Sequence, residues 1–110
     1  MSTMHYLYKL IPPRPTFAAD MTDVEAAVMA EHATYWSALV AEGGVVAFGP
    51  VLDPVGVWGL AIVEADDEAA VHEIGAEDPA VTSNLATFDV YPMPSTIVRA
   101  APEDAYPDTA

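Results

Sequence analysis

Without a cysteine in the chain, acid–base chemistry near neutral pH falls to three histidines, His5, His32 and His72. Imidazole titrates in this range and serves as general acid or base. His32 is the most informative. It sits among Val28, Tyr35, Trp36 and Leu39, spaced as one face of a helix. A histidine on an apolar face is costly to bury unless its ring nitrogens find partners. Either it is a core residue satisfied by a backbone carbonyl, or it is a base held for use. Asp78 is the second candidate. Pro79 follows it and disfavours the helical conformation at Asp78. An Asp-Pro turn explains this plainly. The functional alternative is a carboxylate that holds a histidine in one tautomer, the orienting half of a catalytic triad.

Other residues carry weaker signals. His5 opens a strand, and His72 lies beside Glu68 and Glu73, so both read as surface groups. No two histidines have the i, i+4 spacing of a helical metal site, and no metal or other cofactor is expected. Arg14, set between prolines, suits bidentate capture of an anionic substrate, or else an ion pair within or between chains. Tyr35 and Trp36 are candidates for substrate contact, and Trp58, Tyr6, Tyr8 and Tyr91 for a pocket wall or plain core. Glycine-rich phosphate loops and a GxSxG nucleophile elbow are both missing.

The elements that must position these groups read in the order β-α-β-β-α-β. His5–Ile11 is a strand, stopped by Pro12-Pro13-Arg14-Pro15. Residues 12–21 read as an extended, proline-stiffened loop. Thr22-Asp23-Val24-Glu25 forms a capping box, and the helix it opens runs to Glu42 before Gly43-Gly44. Val45–Phe48 and Val57–Val63 pair as an antiparallel hairpin. Asp66-Asp67 caps a shorter helix that ends by Asp78-Pro79. A turn or short helical piece follows at 80–84. Thr87–Tyr91 is the last strand, with Thr96–Arg99 as a candidate extension. This is a ferredoxin-like α+β plan: a four-stranded antiparallel sheet with two helices on one face.

Composition bounds the partners. A chain of 110 residues suits one domain; it is predicted over 1–100, with 101–110 as a flexible acidic tail. Three Lys and Arg face 17 Asp and Glu, for a net charge of −14. Such a chain cannot build a basic patch, so neither nucleic acid nor an anionic membrane surface is an expected partner. The start carries no targeting signal and no stretch has membrane-span length, so a cytoplasmic protein is expected. Mean hydropathy is +0.26 with 53% hydrophobic residues, rich for so small a domain. The strands at 45–48 and 57–63 do not alternate apolar with polar, so both sheet faces read as dry. A second copy covering the open face, giving a homodimer, accounts for this. The competing account is that the proline loop covers it.

Several short motifs occur in order: Glu31-His32-Ala33-Thr34-Tyr35-Trp36, then Glu42-Gly43-Gly44-Val45-Val46-Ala47-Phe48-Gly49-Pro50, then Leu60-Ala61-Ile62-Val63, then Glu77-Asp78-Pro79-Ala80-Val81, then Val90-Tyr91-Pro92. Across His5 to Arg99 the chain thereby resembles the YCII-related, or YciI-like, proteins. The resemblance implies a ferredoxin-like dimer of the α/β-barrel type. It also implies an active site built on a His–Asp pair, mapped here to His32 and Asp78. One branch of that family is associated with dehydrochlorination of a chlorinated hydroxyhydroquinone. The proline loop here is longer than in the shortest members.

Two functions follow. One is a cofactor-free lyase-type enzyme, with His32 as acid or base, acting on a small aromatic or anionic molecule. The other is a non-catalytic dimeric module that binds a small molecule. They separate on whether His32 and Asp78 are hydrogen-bonded beside an accessible cavity.

Overall fold

The computed structural model describes residues 4–99. Strand β1 (Met4–Ile11) is followed by a helical turn α1 (Phe17–Asp20) and the long helix α2 (Asp23–Glu42). Strands β2 (Val45–Val51) and β3 (Trp58–Ala65) come next, then α3 (Glu68–Ala76), the short α4 (Pro79–Thr82) and β4 (Thr87–Met93). The sheet order is β2-β3-β1-β4, antiparallel throughout. This is the ferredoxin-like α+β arrangement read from the sequence, with β1 and β3 in the middle.

Local chemistry sets the element ends. The Thr22 hydroxyl accepts from the Glu25 N–H at 3.1 Å, and the Glu25 carboxylate accepts from the Thr22 N–H at 2.9 Å, completing the capping box of α2. Gly43 closes that helix at φ +97°, a left-handed conformation that glycine adopts cheaply. Asp67 caps α3 by accepting from the Ala70 N–H. Pro50 is tolerated inside β2 because β2 is an edge strand and needs fewer ladder donors.

Alternation along β1 decides which side chains meet the helices. Tyr6, Tyr8 and Leu10 are buried on the helix side with Ala61 and Val63 of β3. Trp36 and Val71 close the core from α2 and α3. The intervening residues occupy the other face. There the register sets Leu7 between Ile62 and Tyr91, and Lys9 beside Leu60.

Three local expectations need correction. Residues 12–21 are not wholly extended. Ala19 and Asp20 donate to the Thr16 carbonyl and form a helical turn, which buries Phe17. The prolines precede this turn, where a missing N–H does not matter. Val45–Phe48 is too short, since β2 continues through Gly49-Pro50 to Val51. Thr96–Arg99 does not extend β4: the strand ends at Met93, and Pro94 and Ser95, the latter at φ +59°, turn the chain away. The predicted tail at 101–110 lies outside the described residues. Among the described residues no helix is long and apolar enough to cross a membrane.

Candidate functional site

Four elements converge on one carboxylate. Helix α2 presents His32 and Trp36 one turn apart, so their side chains share a face. Strand β1 presents Tyr8 from below. Asp78 sits in the joint between α3 and α4, with the extended backbone that Pro79 demands. Its side chain caps α4, Oδ1 accepting from the Ala80 N–H at 2.9 Å. Its N–H donates to the Gly75 carbonyl, and its own carbonyl accepts from Val81 and Thr82. Backbone and side chain are thus both fixed.

The Asp78 carboxylate is fully buried and takes three further donors. His32 Nδ1 lies 2.9 Å from each oxygen. The Tyr8 hydroxyl donates to Oδ2 at 2.9 Å and the Trp36 indole N–H to Oδ2 at 2.8 Å. Indole and backbone N–H only donate, so Asp78 must accept, as an ionised carboxylate does. Burial is the largest influence on its carboxyl and by itself would raise the pKa. The hydrogen bonds from His32 and Trp36, the His32 charge and the Ala80 N–H outweigh burial and hold it below the ordinary value. Burial, then the Asp78 charge, push the Tyr8 hydroxyl far above its ordinary value, so it remains a neutral donor.

These partners assign the imidazole. An ionised acceptor at Nδ1 requires Nδ1–H, so in the neutral ring the lone pair is on Nε2, and in the imidazolium Nε2 carries the second proton. Nε2 has no hydrogen-bond partner among the described residues, and no side-chain nitrogen or oxygen sealed from solvent there lacks one. Nε2 therefore reaches solvent. His32 lines a partly open cavity of about 320 Å³. The rest of that wall is apolar or backbone, with Leu10, Phe17, Met21, Met29, Phe48 and Trp58 the large contributors; among the described residues His32 is its sole ionisable side chain. Phe48 also packs on the imidazole at 5.4 Å between ring centres and stacks on Trp36 at 5.9 Å.

A model of the YCII-related domain matches residues 4–94. The chain belongs to the YCII-related family. Comparison with curated proteins gives no match. In this YCII-related domain, the predicted pair, His32 and Asp78, is brought into direct contact at 2.9 Å.

The other predicted site residues lie elsewhere. Trp36 is fully buried and touches Asp78, not the cavity. Tyr35 donates its hydroxyl to the Ile74 carbonyl at 2.6 Å, tying α2 to α3. Burial, then the charges of Glu77 and Asp78, raise its pKa. Arg14 is spent within the chain: it grips the Glu25 carboxylate with both terminal nitrogens at 2.9 and 2.8 Å, and its Nε donates to Asp20 at 2.8 Å. It borders a second concavity of about 330 Å³ with Lys9 and Trp58, not the His32 cavity. His5 pairs with Glu64, and His72 with Glu68 on the surface.

Sequence reasoning missed Tyr8 as a partner of Asp78. The signal was there: alternation turns Tyr8 inward, and a buried phenol needs a hydrogen-bond acceptor. The cavity wall from Phe17, Met21 and Met29 was missed because it needs the 12–21 segment folded back onto α2.

Proposed function

We propose that this domain is a small enzyme in which His32 Nε2 moves a proton on a compact, largely apolar molecule held in the cavity. One observation carries the reading: Nδ1 is locked to a buried carboxylate that takes four donors, while the His32 side chain lines the cavity. Asp78 acts as the orienting partner that keeps the tautomer and stabilises the imidazolium. The reaction class is elimination. Nε2 takes a proton from carbon, the C–H electrons form a double bond, and the leaving group departs from the neighbouring carbon with its electron pair. The imidazolium then returns its proton to water. The step balances with a base alone.

Proton exchange tests this without knowledge of the leaving group. Small phenols and cyclic ketones, incubated in D2O, should exchange an activated C–H for deuterium by NMR faster with the protein than without. His32→Gln should abolish the acceleration. A panel of such compounds that binds the cavity yet shows no acceleration would favour the second reading, a non-catalytic binding module. That reading draws on the closed setting of the pair, where His32 is only 5% exposed.

The proposal includes a homodimer in the cytoplasm, formed through the sheet face opposite the helices. What supports it is the row of Leu7, Leu60, Ile62 and Tyr91 on that face. The proline segment packs on the β2–β3 link instead, where Pro15 abuts Gly56, so it is poorly placed to cover this row.

A further inference from the structure

The segment between β1 and α2 has a division of labour. Its residues that line the His32 cavity are Pro12, Phe17, Ala18 and Met21. Its charged residues, Arg14 and Asp20, do not line it, nor does Glu25, the acid they meet on α2. Those three form one network. Arg14 donates to both Glu25 oxygens, to an Asp20 oxygen and to the Asp20 carbonyl at 3.0 Å. Asp20 also accepts from the Thr16 hydroxyl at 2.7 Å. The guanidinium further stands 5.3 Å from the centre of the Phe17 ring. So the one cation of this segment fastens its two ends to each other and to the first turn of α2, from outside the cavity.

A second anchor is steric. A Cβ on Gly56 would lie 3.0 Å from the Pro15 Cα and 3.3 Å from its carbonyl oxygen. The β2–β3 link therefore presses on the proline backbone with no room to spare. Between these anchors Phe17 is buried against the cavity. The proline residues limit the ways the backbone can relax.

We propose that residues 12–21 form a strap that is the specificity-determining wall of the His32 cavity, and that Arg14 is its positioning residue. Arg14 does not touch the ligand. By holding Phe17 and Met21 in place, it limits the cavity to compact single-ring molecules and slows their escape. This rests on the reading of the cavity as a ligand site, but not on proton transfer there.

The test uses phenol and 4-phenylphenol as probes, with binding followed by NMR shifts of Phe17, Met29 and His32. Wild type should prefer phenol. Arg14→Gln should narrow that preference by about fivefold, the scale set by a partly exposed ion pair. It should also speed phenol release and amide exchange at Phe17, Ala19 and Asp20, while the α3 amides stay unchanged. Gly56→Ala, which pushes Pro15 without altering charge, should narrow the preference too. Arg14→Lys should restore part of it, since a point charge replaces the fork. A wild-type size preference without any acceleration of proton exchange would sink the enzyme reading and leave this proposal standing, so the failure of one idea is distinguishable from failure of the other. Unchanged preference and amide exchange in both Arg14→Gln and Gly56→Ala would overturn the proposal. So would the absence of both probes from the cavity. If Arg14→Gln does not fold, Gly56→Ala and Arg14→Lys decide alone.

Discussion

The Tyr8 hydroxyl donates to Asp78 at 2.9 Å across 70 positions of sequence, from the central strand to the joint before α4. It is one of four donors that meet this buried carboxylate. Tyr8→Phe removes that donor and keeps the ring, which packs on Trp36 at 4.6 Å and on Phe88 at 5.1 Å. A hydrogen bond to a buried charge contributes about 1.5–3 kcal/mol, so urea unfolding of Tyr8→Phe should show a loss of that order. A loss near zero would mean that the bond contributes nothing in solution.

The same residue predicts an alkaline limit. The folded Tyr8 pKa is raised above the ordinary 10.0 by burial and then by Asp78. Below pH 10 both states keep the proton and stability is unaffected. Above it the unfolded chain releases the proton and the folded chain holds it, so stability falls as pH rises, by about 1.4 kcal/mol per pH unit from this one group. Urea midpoints between pH 9 and 11 check this. Tyr8→Phe should have a flatter profile than wild type, and parallel profiles would exclude the effect.

Asp78→Asn should uncouple the site. The amide carries no charge to favour Nδ1–H or to stabilise an imidazolium. Proton exchange should drop by about 10³–10⁴-fold, the scale seen when a triad aspartate becomes asparagine. The acid limb gives a second readout. The folded Asp78 pKa lies below the ordinary 3.8, so its stabilisation is complete above that value and is lost as pH falls through the folded pKa. Wild type should lose stability relative to Asp78→Asn on going from pH 5 to pH 2. A constant difference between the two proteins would contradict the assignment of an ionised Asp78.

Gly75→Ala tests the close approach of α3 to the sheet. A Cβ there would stand 2.7 Å from two Phe88 ring atoms and 2.8 Å from Tyr8 Cε1. Alanine favours helix by about 1 kcal/mol, but overpacking costs about 1–3 kcal/mol. The net effect should be a lower Tm. A gain in Tm would show that the two rings yield freely.

Ile62→Glu places a charge on the open sheet face opposite Leu7. The homodimer reading expects sedimentation to show a dimer for wild type at micromolar concentration and a monomer for the variant, with circular dichroism unchanged. A wild-type monomer would remove that interface from the account.

Much of this was legible in the chain. The capping box at Thr22 and Glu25, the glycine stop at Gly43 and the Asp67 cap depend on neighbours within a few residues. Elements built from such signals appear where the sequence puts them. The His32–Asp78 contact spans 46 positions; the pairing was reached through motif order shared with YCII-related proteins, since spacing alone gives no distance between elements. Arg14 shows the opposite case. Its isolation among prolines left an anionic ligand and an ion pair equally open, and Asp20 and Glu25, only six and eleven positions away, fold onto it.

The sequence by itself determined the β-α-β-β-α-β element order and the presence of one histidine on the apolar face of α2. Those follow from periods of 2 and 3.6 and from caps, all short-range properties of the chain. Only the tertiary structure decided that Tyr8, His32, Trp36 and the Ala80 N–H donate to one carboxylate, and that His32 also lines an apolar cavity. A buried charge must collect donors from whatever elements surround it, and which elements those are is settled by the packing of helices on the sheet.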